Sequence, residues 1–127
     1  MSPAQKICFA LIALLIVPAV IFAQDYQSLS TKYTTIYYVQ EKDISDFFWK
    51  ISPKSTPSQN RLDRIVERVE ELLDMYPEDF HVDIILTPKP KKTEAANYSH
   101  RTKSINVVLE TITDAILAHE IGKALIN

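Results

Sequence analysis

Cysteine and glycine are almost missing from this chain: 127 residues contain one of each, and a single tryptophan. The one cysteine, Cys8, lies near the N-terminus inside an apolar run, so residues 24–127 have no thiol. That excludes a disulfide framework and a thiolate metal site from the rest of the chain. With Gly122 the only glycine, tight turns must be built from Pro, Asn, Asp and Ser. Gly122 itself falls inside a helical pattern, where it costs about 1 kcal/mol relative to Ala. Neither sign of charge dominates. The formal charge is −2, and residues 24–127 alone carry 13 basic against 16 acidic side chains, a net of −3. Such weak acidity gives no electrostatic basis for binding nucleic acid.

A long hydrophobic run is present. Lys6 precedes residues 7–23, which are apolar throughout and include Pro18. A positive start, an apolar stretch and a small residue at Ala23 form the pattern of an export signal. At about 17 residues the run also reaches the minimum for a membrane span, so a retained signal anchor is the alternative. No cysteine follows the run, which leaves lipoprotein attachment unsupported. The expected organisation is residues 1–23 as signal peptide or signal anchor, 24–32 as a polar tether and 33–127 as one small domain. The expected location is outside the cytoplasm, secreted or periplasmic, or membrane-anchored if residues 7–23 are kept.

With 46% hydrophobic and 24% charged residues, the chain is neither disordered nor fibrous. Residues 33–39, rich in Tyr, Thr, Ile and Val, read as a first strand. Ile44, Phe47, Phe48 and Ile51 mark a short amphipathic helix over 43–51, with Trp49 off its stripe. Thr56 as N-cap with Pro57 after it opens a long helix running to about residue 76, ended by Pro77. Leu62, Ile65, Val66, Val69, Leu72, Leu73 and Tyr76 form its apolar stripe, while Arg61, Asp63, Arg64, Glu67, Arg68, Glu70 and Glu71 face water. Residues 80–86 alternate as a second strand. The loop 87–94 is basic and stiffened by Pro88 and Pro90. Asn97-Tyr98-Ser99 has the pattern of a glycosylation sequon. Residues 104–109 read as a third strand, and Thr111 with Asp114 resembles a capping box for a terminal helix. The fold class these elements predict is α+β: a small twisted sheet, a long backing helix and a C-terminal helix carrying His119 and Glu120.

The terminal helix holds the residues with chemistry. His119 and Lys123 stand four apart and share a face, and Glu120 reaches Lys123 at a spacing of three. The wording AHEIGKALIN, entered from the strand at 104–109, resembles the active-site helix of zincin metallopeptidases of the gluzincin-like kind, whose motif would read AHEIGHALIN. The order of elements upstream, with backing helices behind a small sheet, is similar as well. The resemblance implies zinc as cofactor, His119 as a zinc ligand and Glu120 as the catalytic general base that polarises the attacking water. It implies a second ligating His where this chain has Lys123, and a third ligand beyond Asn127. A protonated lysine has no lone pair to give a metal. The metzincin branch is a poorer match, because its pattern wants Gly where Ile126 stands.

Three readings therefore stand. The first is an exported zinc-metallopeptidase-like domain whose catalysis is impaired because the second zinc His is Lys123 and the third ligand is missing; its substrate, if active, is a peptide or protein. The second is a non-enzymatic exported module in which the Lys123 ammonium replaces the ion's charge beside Glu120, and the edge strand binds a peptide by strand addition. The third is a membrane-anchored protein of unrelated role. His81 and His100 are the remaining imidazoles, and both are expected in solvent.

Overall fold

The strands form where β-branched and aromatic residues cluster, because such side chains pack well on a pleated surface. The computed structural model describes residues 25–53, 56–87 and 96–127. Its sheet has five strands: β1 (Gln27–Ser30), β2 (Thr34–Tyr38), β3 (Val82–Thr87), β4 (Ala96–Ser99) and β5 (Ser104–Val108). They lie in the order β1-β2-β3-β5-β4. The three inner strands β2, β3 and β5 run parallel, whereas β1 pairs antiparallel with β2 and β4 antiparallel with β5. Three helices complete the described residues: α1 (Glu41–Lys50), α2 (Gln59–Leu73) and α3 (Asp114–Ile126). The fold is α+β.

One continuous core lies between one face of the sheet and the helices. Ile36, Ile84, Ile105 and Val107 from the strands meet Phe47, Leu62, Val66, Leu117 and Ile121 from the helices. The opposite sheet face holds a smaller cluster of Tyr37 and Ile85, with Tyr26 beside it. Arg61 ties the helices together. Its Nε donates to the Ile51 carbonyl at the end of α1, and its guanidinium pairs with Asp114 at the start of α3 at 3.2 Å. Gly122 of α3 lies against Val69 and Leu73 of α2. The N-terminal ends of α2 and α3 therefore sit together, as do their C-terminal halves, and the two helices run parallel.

Several boundaries differ from expectation. The segment read as a polar tether contains β1, which reaches the core through Leu29 alone. Helix α2 starts later, with Ser58 as N-cap accepting from the Arg61 amide, and ends earlier, at Leu73. Asp74 closes it in the left-handed region at φ 53°. The apolar stripe consequently runs out of cover: Leu72 is 69% exposed and Tyr76 60%. Helix α3 is capped by Thr113, whose Oγ1 accepts from the Ile116 amide, rather than by Thr111. Strand β4 was not foreseen. Residues 1–23, expected to be a signal peptide or anchor, and the proline-rich loop, apart from Thr87, lie outside the described residues, among which no helix is long and apolar enough to cross a membrane.

Candidate functional site

Helix α3 is anchored by its apolar face. Leu117, Ile121, Ala124 and Leu125 are buried, and successive residues step about 100° around the axis, so His119 and Glu120 point in different directions. His119 is exposed and makes no hydrogen bond or ion pair with a described residue. Glu120 is 4% exposed and turns toward β4. Its Oε1 accepts a hydrogen bond from the Tyr98 backbone N–H at 2.7 Å. Its Oε2 lies 3.3 Å from Lys123 Nζ, and that lysine side chain is half exposed. Both carboxylate oxygens are thus engaged, one by a neutral amide and one by a cation. A short charge-assisted bond of this kind is the favourable way to bury a carboxylate.

The amide that Glu120 takes belongs to an edge. Tyr98 stands opposite Ile105 in the antiparallel pair of β4 and β5. A residue whose N–H leaves the ladder sits in the non-hydrogen-bonded kind of pair, with N–H and C=O directed away from the neighbouring strand. The Glu120 carboxylate therefore closes the outer side of β4 at its centre. The Tyr98 ring packs partly against the main core, and burial raises the pKa of its phenol.

The other imidazoles do not join this site. The His81 ring is exposed and makes both its contacts through Nε2, with Thr35 Oγ1 at 2.9 Å and Asp83 Oδ1 at 3.5 Å. It precedes β3 with the parity of Asp83 and Ile85, on the sheet face away from the helices. Burial lifts the Asp83 carboxyl above its usual range against the opposing effect of His81. In the same region burial, with Asp83 adding to it, pushes the Tyr37 phenol up to about 12. His100 is exposed in the turn after β4. Among the described residues no group of three His, Cys, Asp or Glu side chains is arranged to hold a metal ion. Among the described residues, the groups that α3 offers are one solvent-facing imidazole, a carboxylate with both oxygens taken and an ammonium. A catalytic zinc needs three protein ligands and an open position, and these residues do not fit that requirement.

Sequence spacing anticipated the Glu120–Lys123 pair. It did not anticipate the Tyr98 amide, because β4 itself was missed. No protein-family model matches the chain, and neither a curated protein nor a solved structure matches it.

Proposed function

We propose that this chain is an exported domain of zincin metallopeptidase type in which the helix of the metal motif has become a structural element, so that the protein acts without peptidase chemistry. The observation that carries this reading is the placement of Glu120. A general base for water attack needs a carboxylate free to accept a proton beside the nucleophile. Here Glu120 is buried between the Tyr98 amide and Lys123. The ammonium supplies, at the position of the motif's second His, the positive charge that an ion would bring. The sequence word AHEIGKALIN and the order of two helices, sheet strands and a His-Glu helix support the ancestry, and Lys6 followed by the apolar run supports export.

A non-enzymatic role in peptide binding is favoured by a further observation: β4 is an edge strand, and its outward Tyr98 amide is held only by a side chain, Glu120 of α3. A peptide added there would use main-chain hydrogen bonds for affinity.

The test is zinc titration by calorimetry with a peptide-cleavage assay alongside. The unmodified chain is expected to retain no stoichiometric zinc after dialysis. Lys123→His returns a second imidazole to the face of His119 and should raise zinc affinity measurably without restoring full cleavage, since two ligands are one short. Chelator-sensitive cleavage by the unmodified chain, abolished in Glu120→Gln, would overturn the proposal.

A further inference from the structure

We propose that the C-terminal end of α2, together with the residues up to Asp79, is a docking surface for a basic amphipathic helix. It involves neither β4 nor the Glu120–Lys123 pair. Two separate departures from ordinary surface chemistry meet there, and the first is apolar. The stripe that α2 packs on the core continues past its cover, which leaves Leu72 and Tyr76 mostly in solvent and Leu73 more than a third exposed. Gly122 of α3 lies against Leu73, and the exposed Ile126 follows Gly122 by one turn on the same side of α3. Large apolar side chains grouped in solvent mark an interaction surface.

The second departure is in the charge. From Glu70 to Phe80 the sequence has five acidic residues, Glu70, Glu71, Asp74, Glu78 and Asp79, and no Lys or Arg. The last four of these acids are exposed, and only Glu71 has a basic partner among the described residues, Arg68 at 3.8 Å. A helix C-terminus carries partial negative charge and favours cations. Yet α2 has no basic residue in its last turn and no acidic residue in its first, so its charges run against its own dipole. A cation brought by a partner answers the carboxylates and the helix end together, and such breaks of a local rule are expected at functional surfaces. The surface belongs to a helix and its closing turn and offers no row of unpaired strand amides, so an extended chain would gain no ladder there. A helix that lays apolar residues on Leu72, Leu73 and Tyr76 and directs Lys or Arg to Asp74, Glu78 and Asp79 satisfies both features. The same acidity turns away an anionic lipid surface.

The experiment measures fluorescence anisotropy of a fluorescein-labelled, end-blocked peptide of two Lys-Leu-Ala-Lys-Leu-Ala-Lys repeats, and of its counterpart with every Lys replaced by Glu. Both are titrated at low salt with the full chain unaltered and as three double variants. These are Leu72→Gln with Tyr76→Gln, Glu78→Gln with Asp79→Asn, and Asp25→Asn with Glu110→Gln, the last removing the same charge elsewhere. All six positions are exposed, and folding of each variant is checked by thermal melting. The Lys peptide should bind the unaltered chain saturably. Its affinity should fall about tenfold in the first variant, about fivefold in the second and by less than about twofold in the third. The Glu peptide should not bind. Undiminished affinity in the first variant would overturn the proposal, as would equal losses in the second and third, because net charge alone would then attract the peptide. Binding that falls in the first variant but not in the second would mean an apolar occupant without preference for charge, and would overturn the basic partner. Equal binding of the two peptides, or binding of neither, would overturn it as well.

Discussion

Glu70 is another buried acidic residue, and unlike that of Glu120 its carboxylate takes no hydrogen bond from a described residue. It is 6% exposed, and no hydrogen bond or ion pair joins its carboxylate to a described residue. Burial, and secondarily the charge of Glu67, raise its pKa above the usual carboxylate range. Glu67, one turn earlier, is held below that range because the Tyr33 hydroxyl and the Lys32 ammonium donate to it. The two shifts act on stability with opposite sign. The contribution of Glu67 is present above its unfolded pKa and is lost as pH falls through its lowered folded value. For Glu70 the stabilising side is low pH: stability is greatest below the unfolded pKa of about 4.3 and declines as pH rises through the raised folded value. Glu70→Gln removes this charge and is expected to stabilise the domain by at most about 0.5 kcal/mol at pH 7, with the gain vanishing near pH 4. Urea unfolding at the two pH values measures it. A loss of stability at pH 7 would mean that the Glu70 carboxylate has a donor.

At the scale of elements, the shortage of glycine decides where turns go. Helix α2 closes on Asp74 at φ 53°, and the turn between β4 and β5 passes through Lys103 at φ 52°. Both occupy the left-handed region that glycine enters without steric cost, and a lysine there is strained by about 1 kcal/mol. The only glycine, Gly122, sits mid-helix, where an added Cβ would meet Val69 Cγ1 at 3.8 Å and Leu73 Cδ1 at 4.0 Å, ordinary contact distances. The two positions therefore call for opposite changes. Gly122→Ala and Lys103→Gly are each expected to stabilise by up to about 1 kcal/mol, read as a rise in melting temperature of a few degrees. A fall for Gly122→Ala would show that the two helices need closer approach than an alanine permits.

The same composition explains what was legible in the sequence. The apolar periodicity of residues 62–76, the aromatic and β-branched character of β2 and the alternation at 80–86 are each carried by several residues, and all three elements appear, the helix ending at Leu73 and the strand starting at Val82. Strand β4 has four residues and enters a turn without glycine, so neither length nor turn chemistry announced a hairpin. The end of α2 was obscured in the same way, since Asp74 does not mark a left-handed cap as glycine would. Missing β4 also hid the site: the i, i+3 spacing of Glu120 and Lys123 is readable from sequence, whereas an acceptor for a backbone amide is visible only when the strand is in place.

At the scale of the whole molecule, the sheet has two different edges, and the parallel pair of helices leaves both of its C-terminal ends with apolar residues in solvent. Ile126 is 64% exposed at the end of α3, and Leu72 is 69% exposed in the last turn of α2, with Tyr76 60% exposed just after it. The β1 edge carries Gln27, Ser28 and Ser30, whereas the β4 edge is closed by a carboxylate reaching across from a helix. That bridge joins α3 to the edge strand of the sheet. The junction of α3 with the sheet edge therefore turns on one amide. Hydrogen exchange at the Tyr98 N–H, resolved by NMR, should be at least about tenfold slower in the unaltered chain than in Glu120→Ala, while amides of β3 in the core exchange alike in both. Equal and fast exchange at Tyr98 in the two proteins would contradict the account, because Glu120 would then be free of the edge strand.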